Sequence, residues 1–465
     1  MINVDSKLVP ADLLPKCQTL WQLATEKIPR IARSFTPGSP TPVITRAGKY
    51  EAQGWTEWTQ GFQYGSAILA FEATGNEELL DIGIRGTREA MPAHVTHFGV
   101  HDHGFNNVST YGNLRRLMLE GKTPRDEGQL HAFEVALKAS AAVQAMRWSR
   151  THEGGGYIYS FNGPHSLFSD TIRSLRSLAL GHQLGHRVLS ENDEPVDLIA
   201  RLIEHARATA QWNVYYGEDS EEPRDAYDIR GRVVHESIFN PNDGRYRCPS
   251  TQQGYSPFTT WTRGLAWVML GFAEQLEFLD TVPDESLEAQ GGRASIVAFM
   301  QKAAEATCDF YLCETPTDGI PYWDTGSPGL VHLGDYLDRP AEPMNDHEPV
   351  DSSAAAIACQ GLLRLGRWLS NHGEDASGEK YWQAGLTVLR TLLDEPYLAT
   401  DPAHDGLLLH TIYHRPRNWD YIPDGAKIPY GESCMWGDYH LLEAALYVQR
   451  VAREEHYYTF FNDKL

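Results

Sequence analysis

The sequence has no long run of apolar residues. Across its 465 residues, no segment is long and apolar enough to span a bilayer. The first residues, MINVDSKLVPADLLPK, do not show a basic segment followed by an apolar one. We therefore expect no membrane partner and a cytoplasmic location, or a periplasmic one if a leader peptide has been removed.

Cysteine and positive charge are also scarce. The six cysteines, at positions 17, 248, 308, 313, 359 and 434, form no CxxC pair. We interpret them as reduced and mostly buried thiols. The formal net charge is −22, so most of the surface would repel nucleic-acid phosphates. The sequence predicts no nucleic-acid partner, and an acidic ligand would need a locally basic pocket.

Apolar residues recur at helical spacing, whereas alternating strand-like runs are few. The pattern predicts about twelve helices in an all-α protein. Short connections alternate with long Gly-, Pro- and aromatic-rich ones such as 214–256, 314–347 and 398–430. Six hairpins of this kind close into an inner ring of helices inside an outer one, with the long loops at one mouth. We expect one domain, residues 1–465, that begins with a leading helix and a connecting segment over about 50 residues. A superhelix of helix pairs is the alternative.

The most informative segment is TQQGYSPFTTWTRGLAWVMLGFAE, residues 251–274, where a loop enters an apolar helix. Arg263 is predicted in the first helical turn, where a cation opposes the macrodipole unless an anion lies nearby. Trp267 follows four residues later on the same face. With Gln253 before them, these residues suit an acidic sugar. The alternative is an Arg paired with a local carboxylate beside a core Trp.

Two aspartates are candidate catalytic groups. Asp102 lies in HFGVHDHGF, between His101 and His103, where the spacing does not fit a helix-borne zinc motif. The alternative is that Asp102 caps a helix. Asp170 falls in a predicted helix over 165–186, beside Phe168, where partial burial would raise its pKa as a general acid requires. The alternative is a surface Asp paired with Arg173.

Three further loops could contribute polar groups. The first, 228–255, contains His235. The second precedes the small-residue segment DSSAAAIA, where Asp351 is predicted to cap a helix. The third, 404–430, is basic and aromatic and includes His410, His414, Arg415 and Arg417. Such a loop could meet an anionic ligand or form surface ion pairs.

Several motifs together resemble a known family. HDHGF (101–105), TQQGY…WTRGLAWVMLGFAE (251–274), DGIPYWDTGSPG (318–329), DSSAAAIACQGLL (351–363) and YGESCMWGDYHLLEAALY (430–447) resemble the unsaturated glucuronyl hydrolases, glycoside hydrolase family 88. The similarity runs from about residue 55 to about residue 450. It implies an (α/α)6 barrel of the six-hairpin glycosidase type. It also implies an enzyme that removes a 4,5-unsaturated uronic acid from the non-reducing end of lyase-generated oligosaccharides.

The resemblance also implies site residues. The two essential carboxylates correspond to Asp102 and Asp170. The substrate-binding residues correspond to His101, Phe161, His235, Gln253, Arg263 and Trp267. The chain departs from the family pattern at Phe161, where a Trp is usual, and at Gln63, where an aromatic is common. The segment from Phe161 to Asp170 is also shorter than usual, which leaves the substrate open.

The implied chemistry is hydration of a vinyl ether: Asp170 protonates C4, and water then adds at C5. It requires no metal, nucleotide or redox cofactor. The expected partner is an oligosaccharide with an unsaturated uronate at its end, and the expected state is a monomer or homodimer. The alternatives are an unsaturated rhamnogalacturonyl hydrolase acting on pectin fragments, a histidine-dependent epimerase, and an inactive carbohydrate-binding barrel.

Overall fold

The computed structural model describes residues 1–53, 57–217, 224–225 and 228–461. Residue 55, where the family resemblance begins, lies outside these ranges. Within them, no helix combines the length and apolar character needed to cross a membrane.

Helices dominate the described chain. They are α1 (Leu14–Ser34), α2 (Gln60–Thr74), α3 (Glu77–Glu89), α4 (Pro92–Val95), α5 (His103–Asn107), α6 (Asn113–Leu119), α7 (Glu127–Met146), α8 (Thr171–Ser174), α9 (Arg176–Gln183), α10 (Leu198–Trp212), α11 (Thr262–Leu279), α12 (Gly292–Cys313), α13 (Ser352–Asn371), α14 (Asp375–Leu392) and α15 (Met435–Ala452). A π-helical turn over Val108–Gly112 joins α5 to α6.

Burial alternates along the chain. Helices α2, α5–α6, α8–α9, α11, α13 and α15 are buried on nearly every face. Helices α1, α3, α7, α10, α12 and α14 bury one face only. A helix that is apolar or covered all round belongs inside a fold, and an amphipathic one belongs at its surface. The alternation therefore separates an inner ring of helices from an outer one.

The inner ring closes on itself. Helix α2 packs against α5, α5 against α8, α8 against α11, α11 against α13, α13 against α15, and α15 against α2. The fold is therefore an α/α barrel, as the sequence predicts. Helix α1, predicted as a leading helix, is the first member of the outer ring. A continuous apolar cluster extends from Ile2 to Phe461. That the chain is a single catalytic domain stays a prediction.

Short strands decorate the connections. They are β1 (Pro42–Arg46), β2 (Lys49–Ala52), β3 (Trp148–Arg150), β4 (Gly156–Ile158), β5 (Ser166–Phe168), β6 (Val188–Leu189), β7 (Pro195–Val196), β8 (Glu236–Phe239) and β9 (Tyr246–Ser250). The antiparallel order β5-β8-β9 forms the largest of these sheets, with Phe168 opposite Glu236. This sheet places Asp170 and His235 next to each other, because each lies close to the end of its strand.

One predicted helix boundary is wrong. The sequence pattern places a helix over 165–186, yet Ser166–Phe168 is a strand and α8 begins at Thr171. The strand forms because β8 offers its backbone hydrogen bonds from a distant part of the sequence. Asp170 is consequently the residue before the helix and not a residue on its side. The proposed partner Arg173 turns away from it and pairs with Glu274 and Glu443.

Buried ion pairs tie the inner helices together below the mouth. Arg173 of α8 lies 3.1 Å from a carboxylate oxygen of Glu274 on α11 and 3.1 Å from one of Glu443 on α15. All three side chains are 2% exposed or less. Removing one member of such a group leaves an uncompensated buried charge, so these pairs fix the relative position of the three helices.

Close backbone contact also holds α11 against α8. A Cβ atom at Gly271 would lie 2.6 Å from Ile172 Cγ2 and 2.9 Å from the backbone nitrogen of Arg173. Only glycine allows the two helices to approach this closely.

We predict that Gly271→Ala lowers the free energy of unfolding by about 1–3 kcal/mol, because the added methyl group forces α8 away from α11. Urea unfolding followed by circular dichroism measures the change. The matched control is Gly128→Ala in the exposed first turn of α7, which should change stability by less than about 0.5 kcal/mol. Equal stability of Gly271→Ala and the parent protein would contradict the packing described here.

Candidate active site

A cleft opens at the mouth of the barrel and encloses about 650 Å³ up to its opening. Its lining comes from segments at or just before the N-terminal ends of inner helices. Trp58 precedes α2, Asp102 precedes α5, Asp170 precedes α8, Arg263 begins α11, and Tyr413 belongs to the loop before α15. Helix N-termini carry partial positive charge and free N–H groups. The cleft of this acidic protein is thus suited to an anion.

Aromatic rings form the floor of the cleft. Trp267 packs against Phe105 with ring centroids 4.8 Å apart. Trp58 stacks on Trp436 at 5.0 Å, with an angle of 28° between the ring planes. Trp267 is only 2% exposed, so it presents an edge to the cleft and is otherwise a core residue. Such a floor offers an apolar surface for one face of a sugar ring.

The two candidate carboxylates lie side by side. Single donor atoms of His101, Asp102 and Asp170 all fall within 4.8 Å of one another, and all three residues are buried. Asp102 occupies the N-cap position of α5, but its side chain accepts no capping hydrogen bond. The capping alternative therefore does not account for this carboxylate, which remains available to a ligand.

Two histidines face Asp170. Nε2 of His101 lies 3.0 Å from Oδ2 of Asp170, and Nε2 of His235 lies 3.7 Å from its Oδ1. Nδ1 of His235 accepts the backbone N–H groups of Gln252, at 3.1 Å, and Gln253, at 3.3 Å. An imidazole nitrogen that accepts cannot carry the proton, so neutral His235 presents Nε2–H to the carboxylate.

These contacts reverse the expected pKa of Asp170. Burial alone would raise this pKa, but the hydrogen bond and charge of His101, with a smaller contribution from His235, outweigh it and lower the pKa. Burial raises the pKa of Asp102, with His101 opposing this rise and Asp170 adding to it. Burial lowers the pKa of His235 to about 4. The raised pKa predicted for Asp170 is therefore wrong in the ligand-free site. The sequence does not show that His101 and His235 lie beside this carboxylate.

Arg263 lies in the first turn of α11, as predicted, but its charge is already paired. Its guanidinium donates to Asp351 Oδ2 at 2.9 Å, to Gln253 Oε1 at 3.0 Å, and to the backbone carbonyls of Ile412 and Tyr413. The side chain is 1% exposed. The alternative of an Arg paired with a local carboxylate thus describes its contacts, although Arg263 also lines the cleft.

Asp351 does more than cap its helix. One carboxylate oxygen accepts the N–H of Ser353 at 3.1 Å, which is the predicted cap, and the other accepts from Arg263. Since Arg263 holds the amide oxygen of Gln253, the amide nitrogen of Gln253 is left to face the cleft. Asp351 therefore holds Arg263, and Arg263 orients the side-chain amide of Gln253 towards the cleft.

Of Phe161 and Gln63, where the chain departs from the family pattern, only Phe161 lines the cleft. Phe161 lines the cleft at 37% exposed and stacks over His101 with centroids 6.2 Å apart. Gln63 does not line it, since its amide donates to the carbonyl of Phe35 at 2.9 Å. The aromatic ring at this side of the cleft is Trp58.

The rim comes from the basic aromatic loop. His414, Arg417 and Trp419 line the cleft, while His410 and Arg415 do not. These residues cannot be told apart from the sequence, because the loop contains only a single helical turn, Arg415–Arg417, and no periodic pattern. Three aromatic residues that also line the cleft are not identified from the sequence: Trp58, Trp261 and Tyr413. In the sequence, each is indistinguishable from an ordinary core aromatic.

Comparison with known proteins finds relatives over most of the chain. No protein-family model matches the chain. An unsaturated glucuronyl hydrolase of Bacillus sp. (strain GL1) is 27% identical over 409 residues, covering 87% of this chain and 89% of that protein. An unsaturated chondroitin disaccharide hydrolase of Streptococcus agalactiae serotype III is 25% identical over 414 residues, covering 88% and 85%. A solved structure of an unsaturated glucuronyl hydrolase specific for heparin has a TM-score of 0.70 at 20% identity, covering 96% of this chain and all of that one.

The fold and these relatives indicate an α/α-barrel glycosidase. They confirm the resemblance read from the motifs: over most of its length the chain is similar to the unsaturated glucuronyl hydrolases, as in glycoside hydrolase family 88.

We predict that Arg263→Met lowers the free energy of unfolding by about 3–5 kcal/mol, because Asp351 keeps a buried charge without its partner. Chemical denaturation measures the change. Arg417→Met on the exposed rim is the control and should stay within about 0.5 kcal/mol of the parent protein. If Arg263→Met is fully stable and only weakens substrate binding, Arg263 acts as a direct ligand contact instead.

Proposed function

We propose that the protein removes the 4,5-unsaturated uronic acid from the non-reducing end of oligosaccharides released by polysaccharide lyases. The observation that supports this most directly is the pair of buried carboxylates, Asp102 and Asp170, above an aromatic floor in a cleft ringed by helix N-termini. The carboxylates suit proton transfer, the floor suits a flattened sugar ring, and the helix ends suit the uronate anion.

The reaction is a hydration rather than a displacement at the anomeric carbon. Protonated Asp170 gives its proton to C4, and the electrons of the C4–C5 double bond form the new C–H bond. Positive charge then develops at C5 and the ring oxygen. A water molecule adds at C5 and returns a proton to Asp170, and the resulting hemiketal opens and releases the rest of the sugar chain. Proton transfer of this kind contributes roughly 10²–10⁴-fold to the rate.

Asp102 and Gln253 have the roles of substrate contacts in this proposal. The carboxylate of Asp102 accepts from ring hydroxyl groups, while the amide nitrogen of Gln253 donates. His235, expected from the resemblance to bind substrate, does not line the cleft and acts through Asp170, to which its Nε2–H is directed. Phe161 and Trp267 border the ring on two sides. Arg263 acts through Gln253, since its own donors are engaged with protein acceptors.

The rim is the part of the cleft that meets the next sugar. The relatives named above differ in this respect, since one is described as acting on a chondroitin disaccharide and another as specific for heparin. Arg417 and Trp419 form a basic and aromatic edge here. An anionic second sugar fits this edge better than the neutral rhamnose of pectin fragments, which remains the second candidate substrate.

The enzymatic test follows the conjugated alkene. Unsaturated disaccharides from glycosaminoglycan, ulvan and pectin lyase digests are incubated with the protein, and ultraviolet absorbance is recorded. We expect absorbance to fall with at least one substrate and to stay constant with Asp170→Asn, which cannot supply the proton. The rate of Asp170→Asn should be lower by about 10²–10⁴-fold, with substrate binding retained. Persistent absorbance with every substrate at high enzyme concentration would exclude the hydration reaction.

We predict that Arg417→Ala raises KM for a substrate whose second sugar is sulfated, by about two- to fivefold, or about 0.5–1 kcal/mol for an exposed charge pair. KM for an unsulfated substrate should change less. Arg415→Ala is the matched control, because Arg415 lies in the same loop but not on the cleft. Equal effects of both variants would show that only the net charge of the loop matters.

A further inference from the structure

His101 lies between the two carboxylates. Its Nε2 is 3.0 Å from Oδ2 of Asp170 and 3.9 Å from Oδ1 of Asp102, and its side chain is 2% exposed. The ring is confined by Phe161, which stacks over it, and by Phe168, which meets it edge-on at 5.4 Å. The backbone carbonyl of His101 accepts from Ser174 Oγ at 2.7 Å, so the residue is held from both sides.

The other nitrogen of this ring is not committed. Nδ1 of His101 is buried and has no hydrogen-bond partner in the described part of the chain. His235 differs, because two backbone N–H groups fix its Nδ1 as an acceptor. The tautomer of His235 is therefore set by the fold, whereas no backbone group fixes the proton on His101, whose Nε2 faces the carboxylates of Asp170 and Asp102.

This geometry bears on a difficulty in the proposed reaction. The reaction begins with a proton on Asp170, but the ligand-free site favours its ionised form, since His101 lowers the pKa of Asp170 against the effect of burial. Burial lowers the pKa of His101 in turn, but the charge of Asp102 and the hydrogen bond and charge of Asp170 raise it above its ordinary value. The raised pKa of His101 therefore favours a proton on the ring whose Nε2 lies 3.0 Å from Asp170.

We propose that His101 is a positioning residue that stores the catalytic proton of Asp170 and returns it when substrate fills the cleft. This proposal rests on the proposed function of the same site. It assigns His101 a role different from that of a contact to the sugar, and it makes His101 and Asp170 a unit that shares one proton.

The exchange balances within the site. In the ligand-free protein, imidazolium His101 donates through Nε2–H to the Asp170 carboxylate. A bound sugar excludes water, and a neutral pair is favoured over an ion pair as the surroundings become less polar. The proton then moves from Nε2 to Asp170, which delivers it to C4. The water that adds at C5 gives a proton back to Asp170, and release of product returns that proton to Nε2.

Charged or titratable groups from several elements act on His101. They are Asp102 beside it, Asp170 before α8, Arg147 at the end of α7, His205 on α10 and His235 before β8. Arg147 is buried and donates to the carbonyl groups of Phe98, Tyr159 and Ser160, and its positive charge opposes protonation of His101. Burial lowers the pKa of His205 to about 3, so this ring is neutral near pH 7 and adds no competing charge.

The first test uses the ligand-free protein. Nitrogen-15 labelling of the histidines gives NMR shifts that report the protonation of each ring nitrogen, and the signal lost in His101→Gln assigns His101. We expect both ring nitrogens of His101 to stay protonated at pH values above about 6.5, the ordinary pKa of histidine. In Asp170→Asn, the pKa of His101 should fall. An unchanged titration of His101 in Asp170→Asn would overturn the proposal.

The second test is the pH profile of kcat/KM with the substrate found active for the parent protein. His101→Gln keeps a hydrogen-bond donor but stores no proton. Its alkaline limb should therefore move to lower pH by about one unit or more, while KM changes less than about threefold. His152→Gln in the exposed loop before β4 is the control and should keep the parent profile. A purely structural role of His101 would lower the rate equally at every pH, which would refute the storage role.

Chemical rescue adds a third measurement. In His101→Ala, added imidazole should restore part of the alkaline activity, while it should leave Asp170→Asn inactive. The outcomes separate the two proposals. If the parent protein hydrates no unsaturated substrate, the proposed function fails, but the NMR titration still decides whether His101 and Asp170 share a proton.

Discussion

The arrangement of the site depends on one constraint, the parallel direction of the inner helices. Each inner helix is preceded by an outer helix that returns the chain, so every inner helix starts at the same end of the barrel. Side chains just before those starts meet in one cleft although they are far apart in sequence. The same geometry gathers the partial positive charges of the helix ends. An acidic protein of net charge −22 thereby obtains a cleft suited to an anion, although Arg263 in its lining is paired with Asp351.

The general fold can be predicted from the sequence, because the spacing of apolar residues along a helix indicates which of its faces are buried. Helices that are apolar on most faces, such as α2 and α11, differ visibly from amphipathic ones such as α3. Asp102, Gln253 and Trp267 could be located by their motifs, and the structure brings them into one cleft. Arg263 was placed correctly in its helix, but its partner was left open between a ligand and a protein carboxylate.

The protonation states were not accessible from sequence. Asp170 was expected to have a raised pKa because of its apolar neighbour Phe168, but the fold brings His101 and His235 to it from 69 and 65 positions away in the sequence numbering. The strand at Ser166–Phe168 was also hidden, because its partner strand β8 lies beyond an entire outer helix. Rim residues such as Arg417 follow no periodic pattern, so only the folded loop distinguishes them from Arg415.

The rim loop and the candidate catalytic groups are attached to the barrel differently. Asp102, Asp170 and Arg263 are fixed at helix starts by buried contacts, whereas Arg417 and Trp419 belong to an exposed loop that ends before α15. Replacement of the exposed Arg417 leaves the packing of the inner helices untouched, unlike changes at Ile412 or Tyr413, whose carbonyls hold Arg263. Evolution can therefore exchange the exposed side chain of this rim while the buried groups stay constant. The same separation makes the loop a suitable place for engineering a new substrate preference.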